Sequence, residues 1–303
     1  MDRSQHDEPA RVATAPLKPA SNLLERFTGA LFVGPLLLYT LAFLILPAAA
    51  VLIGAFQSEK GGLTFEHLRT LLEPQYLLGL KNSVTLSATS ALLGTVLGFL
   101  LAYAVLGERG PAWLRSPLMA FSGVAANFAG VPLALAFVAT LGTTGMVTKL
   151  LSSVGFNLYQ TGFNLFSFSG LVVVYLYFQI PLMVILIAPA LEGLRREWRE
   201  AAENLGASRW QFWRMVGLPV LAPSLLASAV LLFGNAFAAY ATPYALTSGV
   251  LPLLPLQIGA VLSGNVLSDP HLGQALALLV IAVMTLTMIV YTQLERLGSR
   301  WRK

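Results

Sequence analysis

The sequence predicts an all-α integral membrane protein of six transmembrane helices, with a polar island between the fourth and fifth. Three observations carry this. Apolar residues make up 56% of the 303-residue chain and charged residues only 11%, less than half of the roughly 25% found in ordinary soluble domains. Six apolar runs each supply the about 20 residues that a helix needs to cross the hydrocarbon. Of the 19 Lys and Arg residues, 15 fall in tails and loops on one predicted side and 4 on the other. That asymmetry marks the richer side as cytoplasmic. A mean hydropathy of +0.72 leaves too little polar surface to coat a globule. The net charge of +5 is therefore topological, and no nucleic-acid partner is expected.

Residues 1–27, polar and rich in Pro and Ala, predict a disordered cytoplasmic tail. The tail is too long and too acidic for a signal-peptide leader, and an interfacial helix is expected to begin within Asn22 to Arg26. The six-span region is expected over 28–294 and a basic cytoplasmic tail over 295–303. The first span, Phe27 to Phe56, contains Pro35 and Pro47. An external loop follows, with a short amphipathic helix near Phe65 to Leu72. The second span is Val84 to Leu106, where Gly94 and Gly98 form a small-xxx-small pair suited to close helix approach. A basic loop at 107–117 leads to the third span, Leu118 to Leu141, holding Asn127 and Pro132. A short external helix is expected at Met146 to Val154. The fourth span, Phe168 to Leu191, carries Gln179 and Pro181, and that proline permits a kink. The fifth is Leu221 to Leu246. Residues 247–270 are apolar but dense in Pro and Gly, a re-entrant or surface segment that protein must shelter. The sixth span, Leu272 to Leu294, returns the chain to the side it began on, so both termini are cytoplasmic.

The spans carry little chemistry. No predicted interior holds an Asp, Glu, Lys or Arg, the usual marks of a proton relay or ion-coupled transporter. Asn127, Gln179 and Asn235 are the polar exceptions. They either hydrogen-bond between helices or line a translocation path, together with tyrosines such as Tyr240. There is no cysteine, and His6, His67 and His271 lie far apart in the sequence, so no metal site is expected. Neither a G-x-x-x-x-G-K-[ST] loop nor H-E-x-x-H nor G-x-S-x-G occurs. The chain offers no catalytic residue and reads as a non-enzyme with no cofactor of its own. Energy for transport has to enter from another subunit.

The island runs from Glu200 to Pro219, EAAENLGASRWQFWRMVGLP. Good helix formers precede Gly206, whose φ freedom suits a helix C-cap. Ser208 with Gln211 matches a capping box that restarts a helix at Arg209. Trp210 and Trp213, at i,i+3, are expected to face the membrane interface together, and Leu218-Pro219 to end the second helix. Composition alone admits a bland reading, an amphipathic pair anchored on the bilayer.

The spacing goes further. Glu200-Ala201-Ala202, three residues, Gly206, nine residues, Val216, one residue, then Leu218-Pro219 resembles the EAA loop of permease subunits in binding-protein-dependent ABC importers. Valine stands at 216 where isoleucine is usual. The resemblance extends over about residues 28–294 and implies a permease dimer, identical or homologous, in the bacterial inner membrane. It also implies two ABC ATPase subunits that carry ATP and magnesium, and an external or periplasmic solute-binding protein. The coupling residues it implies are Glu200, Ala201, Ala202, Leu205, Gly206, Ala207 and Ser208. The Leu-Gly-Ala-Ser form looks like the branch serving polyamines, ferric iron, thiamine, phosphonate or sulfate, and the overall look suggests the spermidine/putrescine type. A stand-alone channel or secondary transporter is the alternative from another class. It would need ionisable span residues or a repeat of broken helices.

Overall fold

The computed structural model describes residues 33–58, 62–107, 110–263 and 270–300, without the side chains of 297–300. The expected disordered tail (1–27), the start of the first span, and residues 301–303 lie outside the described residues, as do 264–269 of the apolar loop. Contacts divide the chain into Met1–Ala50 and Val51–Lys303. Nearly all described residues are helical, and six segments are long and apolar enough to cross a membrane.

The first, α1 (Val33–Gly54), contains a π-turn at Leu41–Ile45 immediately before Pro47. The short helix α2 (Glu66–Thr70) precedes α3 (Pro74–Leu106), which begins ten residues before the expected span. Pro74 at its start costs nothing, because the first N–H groups of a helix lack intrahelical partners anyway. The expected third span is broken into α4 (Ala112–Ala125) and α5 (Val131–Leu141). Gly130, at φ +78°, turns the chain between them, and Pro132 sits in the first turn of α5. α6 (Met146–Ser153) follows where the short external helix is expected. The third apolar segment of spanning length is thus 131–153, interrupted at 142–145.

α7 (Phe168–Glu192) is continuous through Pro181 and Pro189. Of its most apolar window 61% is buried, against 11% in the last span, so α7 is the hub of the bundle. Its first half supplies Leu171, Tyr175 and Phe178 to one core cluster, and its second half supplies Met183, Ile187 and Leu191 to another. Gly94 and Gly98 of α3 make this packing close. A Cβ on Gly94 would stand 2.8 Å from the Gln179 Cβ. The fifth span extends over Arg209–Phe237, breaks, and resumes as the short α10 (Ala241–Thr247). The apolar loop folds in part as α11 (Leu254–Ser263), packed against α3 and the last helix, α12 (Pro270–Arg300). That shelters backbone which lipid cannot satisfy.

Candidate functional site: the polar island and the broken helices

The island is two helices joined by the four residues 205–208. α8 (Arg196–Asn204) ends in a full Schellman motif. The Ala207 N–H donates to the Ala202 carbonyl and the Gly206 N–H to the Glu203 carbonyl, both at 2.9 Å. This motif needs a left-handed residue after the cap, which Gly206 provides at φ +78°. One residue later the capping box forms as its spacing predicts. The Ser208 N–H donates to Gln211 Oε1 at 2.7 Å, and the Gln211 N–H donates to Ser208 Oγ at 3.3 Å. Six of the ten positions from Ala202 to Gln211 are therefore tied up in terminating one helix and starting the next.

This geometry sorts the expected coupling residues. Ala202 and Ala207, half-buried, close the Schellman turn, while Ala201 is exposed. Leu205 stands at the tip with 88% of its surface exposed. Glu200 pairs with Arg196 at 2.9 Å on the outer face of α8, and Arg199 pairs with Glu203 at 3.0 Å. Such i,i+4 pairs stabilise a helix by only a few tenths of a kcal/mol when exposed, so the Glu200 carboxylate can exchange its guanidinium for another at little cost.

Two expectations for the island differ from the structure. Leu218 and Pro219 do not end its second helix. α9 (Arg209–Phe237) continues through a π-turn at Trp213–Gly217 into the fifth span. A proline ring ordinarily clashes with the carbonyl four residues earlier; the π-turn widens the backbone immediately before Pro219 and leaves that ring room. Nor do the two tryptophans share one face. Trp210 is exposed, whereas Trp213 turns inward, its ring edge-on to Tyr103 with centroids 4.8 Å apart.

The candidate path residues separate likewise. Gln179 is fully buried between helices, its Nε2 donating to the Leu232 carbonyl at 3.0 Å. Asn127 is exposed, its amide donating to the Gly123 carbonyl at 2.9 Å. Asn235 and Tyr240 line a cavity of about 280 Å³. Its walls are the two breaks, at 126–130 and 238–240, and the breaks are tied together: the Gly130 N–H donates to Thr242 Oγ1 at 2.8 Å. Sequence reading missed Thr242, because its partner is 112 residues away. Tyr240 stacks on Tyr244 at 5.4 Å and 12°.

The histidines are closer than their sequence separation suggests. His67 stacks on His271 with centroids 5.7 Å apart, and His271 Nδ1 contacts the Gly54 carbonyl at 2.9 Å. His6 lies outside the described residues. Among the described residues no three metal-ligating side chains converge.

The described helices thus form a membrane-type bundle with a glycine-jointed polar loop and two paired helix breaks. The chain belongs to the family of binding-protein-dependent transport system inner membrane components, whose model matches residues 94–303. It is 27% identical over 203 residues to the sulfate transport system permease protein CysT of Escherichia coli (strain K12), covering 67% of this chain and 69% of that one. With the sulfate transport system permease protein CysW of Synechocystis sp. (strain ATCC 27184 / PCC 6803 / Kazusa) it shares 26% identity, over 83% of this chain and 88% of that one. The fold matches a chain of a bacterial alginate ABC transporter in complex with an alginate pentasaccharide-bound periplasmic protein. There the TM-score is 0.71 at 21% identity, over 92% and 96% of the two chains. The named relatives are sulfate permeases and not of the polyamine type expected from the sequence.

Proposed function

We propose that this chain is the membrane-spanning permease subunit of an ATP-driven importer, with the island as the surface through which ATP hydrolysis is coupled. The observation that carries this reading is the rigid Leu205–Gly206 tip. Two caps fix it in space, Leu205 is apolar, and nothing among the described residues covers it. The basic-residue count supports a cytoplasmic island and cytoplasmic termini. In this reading two ABC ATPase subunits dock on the islands and hold ATP and magnesium. A second permease, identical or homologous, completes the pore, and an external binding protein delivers the solute.

The cargo we propose is a small oxyanion of the sulfate type. The relatives support it, and the cavity at the helix breaks presents amide, hydroxyl and phenol groups with no carboxylate among its described lining residues. Asn235, Tyr240 and Thr242 are the groups such a cargo would meet. The test is uptake of labelled sulfate and labelled spermidine by cells carrying the complete transporter. Sulfate uptake that vanishes when the ATPase is inactivated is expected. Spermidine uptake in its place would overturn the cargo, and transport by the chain without any ATPase would overturn the importer reading altogether. Within the same assay, Gly206→Leu is expected to abolish both transport and co-purification of the ATPase. Normal behaviour of that variant would sink the coupling assignment.

A further inference from the structure

Behind the island lies a cavity of about 430 Å³, separate from the helix breaks and edged by Ala207 and Ser208 of the turn. It is enclosed by the ends of α3 and α7 on one side and by α8 and the start of α9 on the other. Its charged lining is Arg115, Arg195, Arg199, Arg209, Glu192 and Glu203. Among the described lining residues, four guanidiniums against two carboxylates leave an excess of two positive charges. Internal pairing does not remove that excess. Arg199 is paired with Glu203 at 3.0 Å, Arg115 donates to the neutral Gly107 carbonyl at 3.1 Å, and Arg195 lies 5.9 Å from the Trp198 ring. The uncharged lining is mostly aliphatic and small, with Tyr103, Phe212 and Trp213 as its aromatic members.

We infer that this cavity binds a tetrahedral oxyanion and thereby ties the island to the ends of the spans. Guanidinium forks match the oxygens of phosphate and sulfate groups better than ammonium groups do, and the volume suits a whole headgroup or small anion. The same chemistry has two sources. The cavity sits at the cytoplasmic end of the spans, as the basic-residue count orients them. There, anionic headgroups crowd the membrane surface and aromatic side chains occupy the interface. A lipid phosphodiester and a free sulfate or phosphate are both within reach. The inference rests on that orientation and not on the identity of the cargo.

The test titrates the full-length chain in neutral detergent with sodium sulfate, sodium phosphate or a short-chain phosphatidylglycerol, following tryptophan emission and thermal stability. At least one probe is expected to saturate. The double variant Arg195→Gln/Arg209→Gln should weaken that probe roughly ten-fold or more. Arg214→Gln removes an exposed guanidinium outside the cavity and should leave binding unchanged. Glu192→Gln should tighten binding several-fold, a gain that misfolding does not produce. Saturation by phosphatidylglycerol alone assigns the site to lipid; saturation by sulfate or phosphate assigns it to a free anion. If no probe saturates, if binding survives the double variant, or if Arg214→Gln weakens it equally through diffuse surface charge, the inference fails.

Discussion

A Cβ added at Gly98 would stand 2.5 Å from the Met183 Cβ, whereas one added at Gly206 would meet nothing within 4 Å. The two glycines answer to different constraints and should fail differently. Gly98→Leu overpacks the contact between α3 and the hub helix and is expected to cost about 3 kcal/mol, read as a lowered midpoint of unfolding in detergent. Gly206→Leu meets only the left-handed backbone, about 1–2 kcal/mol, so the spans keep their packing while docking on the ATPase is lost. Ser208→Ala removes one half of the capping box and should cost about 1 kcal/mol, visible as reduced helicity of the island and weaker ATPase binding. Gln179 donates a hydrogen bond to a carbonyl inside α9, and its buried Oε1 meets no partner among the described residues. Interhelical hydrogen bonds in membrane proteins average only about 0.6 kcal/mol. Gln179→Met is therefore expected to change stability by less than about 1 kcal/mol and leave cargo selectivity unaltered. A changed uptake profile in that variant would place Gln179 on the path instead.

Among the elements, those set by local chemistry were legible in the sequence. The capping box at Ser208 and Gln211, the glycine cap at 206 and the short helix after Gly145 each depend on residues within a few positions, and the structure has them where the spacing puts them. Elements set by distant contacts were not. The break between α4 and α5 looks, in sequence, like an ordinary span containing one proline. What holds it open is the hydroxyl of Thr242, supplied from the far side of another break. The continuous α9 was equally hidden, because Pro219 reads as a stop. The rule it escapes is local, and so is the escape: a π-turn precedes Pro47 in α1 just as one precedes Pro219 in α9. Of the candidate site, the glycine turn and capping box of the proposed coupling tip were readable in the sequence. The cavity was readable only as isolated polar residues, since two separate breaks must meet to make it. Thr242→Val leaves the part-buried Gly130 N–H without its side-chain acceptor, at about 1–3 kcal/mol. It is expected to lower transport while the ATPase still co-purifies, which separates a defect in the path from a defect in coupling.

At the scale of the whole bundle, the hub helix α7 lends one half to each of two core clusters, so the two ends of the membrane region share one buried axis. Around that axis α9 is the only described element that belongs both to the island and to the helix-break cavity. Softening it should therefore separate the two activities. Val216→Gly places a flexible residue beside Gly217 in the π-turn, and is expected to preserve ATPase docking while transport per ATP hydrolysed falls. Unchanged stoichiometry would show that force reaches the cavity by another route. The consequence of an unbroken α9 is mechanical. Its 29 residues, at 1.5 Å each, make a lever arm of about 44 Å. A tilt of about 5° at the island end swings the far end by about 4 Å, more than the width of a hydrogen bond, at the place where Asn235 meets the cavity. With a joint at Pro219 that swing would be absorbed; without one, a small tilt at the island end arrives amplified at the gap.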